Sequence, residues 1–254
     1  MPDSFRRLRP YEAFERDVIA SLTRPTVVGE FWVDLDALEQ HLDAQRAAMT
    51  VGLTFTHYFV KAAALAVRDV PELRRIYGRW RVLEPSHVDV GISVEAPETM
   101  LAPVVIIEQA DSKTLAEIAR DLRSRARRAR VESRRFQALA NRYLRLLPFP
   151  PIRRALIRTV LANVRWRRRA VGSIQISTLD HFGIDSAHVP LAAELLLVAG
   201  AVERQARIEG RDKIVIRTGA QFTLHGTHAK VNGRTAGAFI ERFRNLLAAP
   251  ERLT

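Results

Sequence analysis

HVDVGISVEAPETMLAPVVIIEQADSKTLAEI, residues 87–118, sets two apolar runs on either side of the turn-forming Pro97-Glu98-Thr99 and then opens a helix. HVDVGISVEA and LAPVVIIEQ are short, β-branched and bounded by turn formers, which predicts a hairpin of two buried strands. Asp111, Ser112 and Thr114 are each suited to cap the helix after them. Thr114 with Glu117 matches a capping box, and Leu115, Ile118 and Leu122 recur at helical spacing. Strands leading directly into a capped helix place the chain in the α/β class.

Working outward, helices are expected over 10–22, near 35–48 and over THYFVKAAALAV, with PTVVGEFWVDL a strand between the first two. On the C-terminal side GSIQIS alternates, LLLVAGAVE reads as a buried strand, and KIVIRTGAQFTLH places Ile214, Ile216, Phe222 and Leu224 at its apolar positions. TAGAFIERFRNLLAA is a final helix. Between these halves the character changes from about residue 131. FQALANRYLRLLPFPPIRRALIRTVLANVRWRRR is aliphatic, arginine-rich and broken at Pro148, Pro150 and Pro151, which predicts two short helices joined by a proline turn. In the second, Arg154, Arg158 and Arg165 fall on one stripe, opposite a broad face of Leu156, Ile157, Val160, Leu161 and Val164. With no repeat and no flexible linker, the simplest organisation is one α/β domain over 1–254 carrying a basic helical insert at about 131–169.

The chain has 254 residues, 47% of them hydrophobic, enough for a sizeable core, and no cysteine, so disulfide, thiolate-metal and Cys-nucleophile chemistry are excluded. The opening MPDSFRRLRPYEAF has charge without an apolar run, and no later uncharged stretch approaches the roughly 20 residues of a spanning helix, so a cytoplasmic protein is expected. The net charge of +12 is local: residues 120–169 hold 17 Arg, no Lys and only Asp121 and Glu132 as acids. Such a block implies a local anionic partner. It leaves open an Arg-lined lid that touches an anionic membrane surface or guides a long acyl chain or an acidic carrier, against a packed helical hairpin covering the sheet or a subunit contact. Nucleic acid is not favoured, since no binding motif accompanies the arginines.

LHGTHAKVNG, residues 224–233, places His228 at a strand end before an Asn-Gly turn and a helix. An imidazole with a pKa near 6.5, held on a rigid frame, suits a general base. Spacing alone also allows a structural hydrogen-bonder. His225 lies three residues before it without a third ligand, so no metal is expected. His181 and His188 fall in loop-like sequence, and His57 with Lys61 reads as a solvated or interface edge of its helix.

Four blocks then carry a resemblance: LTFTHYFVKAAALAV followed by VPEL, HVDVGISVEAPETMLAPVV with DSKTLAEIARDLRSRA, SIQISTLDHFGIDS, and HAKVNGRTAGAFIERFRNLLAAPERL. In this order they resemble the catalytic core of the dihydrolipoamide acyltransferases of 2-oxo acid dehydrogenase complexes and, more distantly, chloramphenicol acetyltransferase. The resemblance implies a two-layer sandwich, a mixed sheet packed with helices. It implies an acyltransferase moving an acyl group from a thioester to a thiol, hydroxyl or amine. His228 falls on the family's general base, Ser177 on the hydroxyl that binds the oxyanion with Thr178 as the alternative, and Gly233 on the motif glycine. It further implies a homotrimer with Ser177 and His228 from different chains, and trimers that can assemble further.

Departures from the family pattern are specific. Thr227-His228-Ala229 stands where Asp-His-Arg is usual, and the motif aspartate is Asn232, an asparagine that also occurs among such acyltransferases. The acid's arginine partner would be Arg7 or Arg9. No tightly bound cofactor is implied. Since no lipoyl or subunit-binding domain precedes the core, acyl-CoA is the expected donor, ahead of a lipoyl group supplied in trans. The competing reading is a catalytically silent scaffold of the same fold, associated with a membrane surface.

Overall fold

A computed structural model describes residues 9–21, 26–48, 52–78, 82–95, 102–143, 149–189 and 193–253. In chain order the elements are α1 (Pro10–Ser21), β1 (Thr26–Asp34), α2 (Asp36–Ala48), α3 (Phe55–Asp69), α4 (Pro71–Arg74), β2 (Ile76–Tyr77), β3 (Val82–Leu83), β4 (Val90–Ser93) and β5 (Val104–Ile107). After these come α5 (Leu115–Tyr143), α6 (Pro150–Ala162), α7 (Val164–Val171), β6 (Ile174–Thr178), β7 (Leu195–Glu209), β8 (Lys213–Thr227) and α8 (Gly233–Ala248).

Six strands form one mixed sheet in the order β1-β8-β7-β6-β4-β5. β4, β6 and β7 run parallel, while β5, β8 and β1 are antiparallel to their neighbours. Strand alternation sends Ile92, Ile176, Leu197 and Phe222 to one face, where α3, α5 and α8 cover them. At the centre the Phe222 ring packs against Phe59 at 5.0 Å, Phe243 at 5.2 Å and Phe31 at 5.6 Å between centroids. Truncating such a ring costs about 3–5 kcal/mol. The hairpin expected at 87–109 forms as β4 and β5, although its turn lies outside the described residues. The capping box forms too: Glu117 Oε2 accepts from Thr114 N at 2.8 Å and Thr114 Oγ1 accepts from Glu117 N at 3.3 Å.

The structure corrects several expectations. His57 and Lys61 are buried on α3, not at a solvated edge. Lys61 Nζ donates to the main-chain carbonyls of Asp111 at 2.9 Å and Lys113 at 2.6 Å, and burial lowers its pKa. His57 Nδ1 accepts from Thr54 N at 2.9 Å, and burial, reinforced by Arg123, lowers its pKa to about 4. The arginine-rich segment does not begin a separate helix near 131, because α5 continues unbroken for 29 residues; arginine is a good helix former and nothing before Tyr143 breaks the turn. α6 and α7 come next, divided at Asn163, whose Oδ1 accepts from Arg165 N at 3.0 Å.

Strands β7 and β8 are 15 residues each, longer than their apolar runs. β6 pairs β7 only at Leu196–Ala199 and β1 pairs β8 only from Gly219 onward. The remainder projects as a two-stranded hairpin that exposes Ile208, Ile214 and Ile216, of which the last two were expected at apolar positions.

Candidate active site

The His228 turn is built by close approach. Thr227 N donates to Glu194 O at 3.0 Å, closing the end of β8 on the start of β7, and Val231 N returns to Thr227 O at 2.9 Å. Val231 then lies on Gly226: a Cβ there would meet Val231 Cγ2 at 2.0 Å, so only glycine allows the chain to fold back. His228 is exposed in the single chain, and its Nδ1 lies 3.0 Å from Val231 O. A carbonyl only accepts, so in the neutral ring Nδ1 carries the proton and Nε2 keeps a free lone pair.

Asn232 is the N-cap of α8. Its Oδ1 accepts from Thr235 N at 3.0 Å while Thr235 Oγ1 accepts from Asn232 N at 3.0 Å, and Gly233 opens the helix. The side-chain oxygen that the resemblance would offer to an arginine is thus engaged at its own helix end. Arg9 is exposed just before α1 and pairs with Glu12 in the first turn of that helix, not with Asn232. Arg7 lies outside the described residues.

Ser177 sits on the sheet face opposite the helices, since its neighbours Ile174 and Ile176 point into the core and Gln175 on the same face as Ser177 donates to Ser93 Oγ at 2.9 Å. Thr178, one residue on, lies on the other side. The strand end is fixed by Leu179 N donating to Ala199 O at 2.8 Å and by Gly200, where an added Cβ would meet Asp185 O at 1.9 Å. Ser177 pairs with Val198, which pairs with Thr223, five residues before His228. At about 3.4 Å per residue and 4.8 Å per strand, Ser177 and His228 of one chain are on the order of 20 Å apart. One protomer does not bring them together.

Behind His228 lies a cluster that the sequence did not reveal. Glu194, buried, accepts from Tyr77 N at 3.1 Å and from Arg167 Nη2 at 2.5 Å, with Lys230 Nζ at 4.0 Å. Arg167 and Lys230 are also buried, and burial lowers the Lys230 pKa to about 8 despite the carboxylate. Arg168, next along α7, holds Asp89 before β4 at 2.7 Å. The last helix of the insert is therefore fastened to the turn that carries His228. His225 is buried on the second sheet face, its Nε2 3.1 Å from Ala187 O and its pKa lowered by burial, while His188 is exposed beside Glu30 at 3.1 Å. Among the described residues no three His, Asp or Glu side chains are placed to hold a metal ion.

This architecture defines the class. The chain superposes over 100% of its length on the cubic core of a pyruvate dehydrogenase multienzyme complex, TM-score 0.73 at 20% identity over 94% of that chain. It matches Azotobacter vinelandii dihydrolipoamide acetyltransferase with TM-score 0.74 at 19% identity, covering 100% of this chain and 94% of that one. The fold is shared with chloramphenicol acetyltransferase at TM-score 0.51 and 13% identity, over 95% of this chain and 96% of that one. Residues 13–143, just over half the chain, match the 2-oxoacid dehydrogenases acyltransferase (catalytic domain) family, and the chain belongs to that family. Among curated relatives, the acetyltransferase component of the Zymomonas mobilis pyruvate dehydrogenase complex is 24% identical over 86% of this chain and 43% of its own length. The Rhizobium meliloti counterpart is 26% identical over 77% and 49%. The chain spans less than half the length of these relatives.

Proposed function

We propose that the protein is an acyltransferase in which His228 of one protomer and Ser177 of its neighbour face the same thioester. The observation that carries this reading is the Nδ1 to Val231 O contact, which fixes the tautomer whose Nε2 can accept a proton. Nε2 removes the proton of an attacking thiol. The thiolate adds to the thioester carbonyl carbon, Ser177 Oγ donates to the resulting oxyanion, and collapse breaks the original C–S bond, the departing sulfur taking the proton back from the imidazolium.

The relatives' names are those of dihydrolipoyllysine-residue acetyltransferases, which favours a dihydrolipoyl thiol and its thioester as the acyl carrier over the acyl-CoA donor that the sequence placed first. CoA is then the second thiol. In the Azotobacter enzyme, a serine, a histidine and, four residues further on, an asparagine have been investigated for their role in the catalytic mechanism. His228 and Asn232 keep that spacing. The roughly 20 Å between Ser177 and His228 within one chain supports a site completed by a second protomer, hence the homotrimer.

The test is acyl exchange between acetyl-dihydrolipoamide and CoA, with acetyl-CoA hydrolysis as a side measurement. His228→Ala should lower turnover by about 10²–10⁴ and Ser177→Ala by about 10²–10³, with Thr178→Ala close to the parent. Equal turnover of His228→Ala and parent would remove the base assignment. A folded trimer without turnover on either carrier would leave the scaffold reading.

A further inference from the structure

Helix α6 buries an arginine and exposes part of its aliphatic face. Arg153 is buried, and it and Arg154 hold the fully buried Asp17 of α1, with Arg153 Nη2 at 2.7 Å and Arg154 Nε at 2.9 Å. With Ile157 and Leu161 half-buried on the same side, this leaves Ile152 and Leu156 facing outward, 54% and 55% exposed, and Val160 on the flank, 49% exposed. The amphipathic pattern alone would turn Leu156 and Val160 inward. Phe149 just before the helix and Trp166 just after it are 63% and 61% exposed. On α5, the exposed Phe136, Leu139 and Tyr143 recur at spacings of three and four residues. A run of exposed apolar residues of this kind marks an interaction surface.

Its charge selects the partner. Arg158, Arg165 and Arg169 on α6 and α7 are exposed, and none has a carboxylate partner among the described residues. Residues 120–169 carry 17 Arg against two acids. A second copy pressing the same face would oppose like charges. A nucleic acid would meet the arginines but leave the aliphatic stripe wet. Among the described residues no helix is long and apolar enough to cross a membrane.

We propose that the outer face of α6, with Trp166 at its end, lies on an anionic lipid surface. Ile152, Leu156 and Val160 enter the headgroup–acyl boundary, Trp166 sits at its polar edge, and the arginines meet lipid phosphates. This does not depend on the acyl-transfer reading.

The experiment is flotation of the full chain with phosphatidylcholine vesicles, with and without phosphatidylglycerol, at low and high salt. Binding is expected to the phosphatidylglycerol vesicles only. Ile152→Glu/Leu156→Glu should weaken it roughly tenfold or more, and Arg158→Gln/Arg165→Gln/Arg169→Gln several-fold, with loss at high salt. The five positions are exposed, so circular dichroism and Tm should be those of the parent. Trp166 gives a second readout, a blue-shifted emission on binding that Trp166→Phe removes. Three results would overturn the proposal: no binding by folded parent protein, equal binding by parent and the Ile152/Leu156 variant, or dissolution by that variant of a self-association, which would assign the face to a second copy.

Discussion

Replacing Glu194 with Gln tests whether the insert and the His228 turn form one energetic unit. The carboxylate balances two buried cations, Arg167 at 2.5 Å and Lys230 at 4.0 Å, and takes the Tyr77 N–H at 3.1 Å. Removing one member of a buried pair leaves an uncompensated charge worth about 3–5 kcal/mol, a large share of the about 5–15 kcal/mol that holds a domain together. At an m-value of about 3 kcal/mol/M in urea, the midpoint should fall by about 1–2 M with m unchanged. Among the described residues Lys230 Nζ has no hydrogen-bond partner, so Lys230→Met should by contrast be neutral or stabilising, and it should recover part of the loss when added to Glu194→Gln. A Glu194→Gln loss below about 1 kcal/mol, or a Lys230→Met loss exceeding it, would refute the account.

Gly226→Ala should cost about 1–3 kcal/mol and depress acyl exchange together, because the new methyl meets Val231 at 2.0 Å and displaces the His228 turn; chemical denaturation and turnover on the same sample check it. Asn232→Asp should keep stability within about 0.5 kcal/mol while Asn232→Ala loses about 1 kcal/mol, since an aspartate caps α8 as well as asparagine does. His57 is held neutral, with its pKa lowered from 6.5 to about 4, so the unfolded chain binds the extra proton first; stability should fall by roughly 3 kcal/mol as pH drops from about 6.5 to 4, and His57→Gln should lose that slope in pH-dependent melts. Asp17→Asn should cost about 3 kcal/mol in urea melts; although burial alone would raise the Asp17 pKa, Arg154 and Arg153 hold it below the usual value, so its contribution is present above pH 3.8 and disappears as pH falls through the lowered pKa.

Elements with local signals were legible. The β4–β5 pair follows from two β-branched runs around a turn former, the start of α5 from Thr114 and Glu117, and α8 from the helical stretch that follows the Asn-Gly turn. Features fixed by distant partners were not. Arg153 finds Asp17 across 136 positions, and that pairing, absent from any spacing rule, puts an arginine on the inner side of α6 and leaves Ile152 and Leu156 outside. His57 and Lys61 are polar by type, yet a helix start and two main-chain carbonyls satisfy them inside the core. Strand β7 runs on past its apolar half through Arg204, Gln205 and Arg207, because its partner β8 supplies the ladder. In the site, His228 and Asn232 stood out through their motif, whereas Glu194, Arg167 and Lys230 carried no pattern that could join them.

The projecting part of the β7–β8 hairpin has a kinetic consequence. Among the described residues its rim is unladdered on both sides, with one surface clasped by Arg207 over the Trp32 ring at 4.5 Å and by Arg217 on Asp36 at 2.9 Å, and the isoleucines on it are exposed. Two strands alone are marginal, so this ribbon opens without the rest of the sheet, and its amides between 203 and 218 should exchange with deuterium orders of magnitude faster than those of 220–226. Fraying will begin there, at the tip furthest from the His228 turn, and will leave the six-stranded part of the sheet closed.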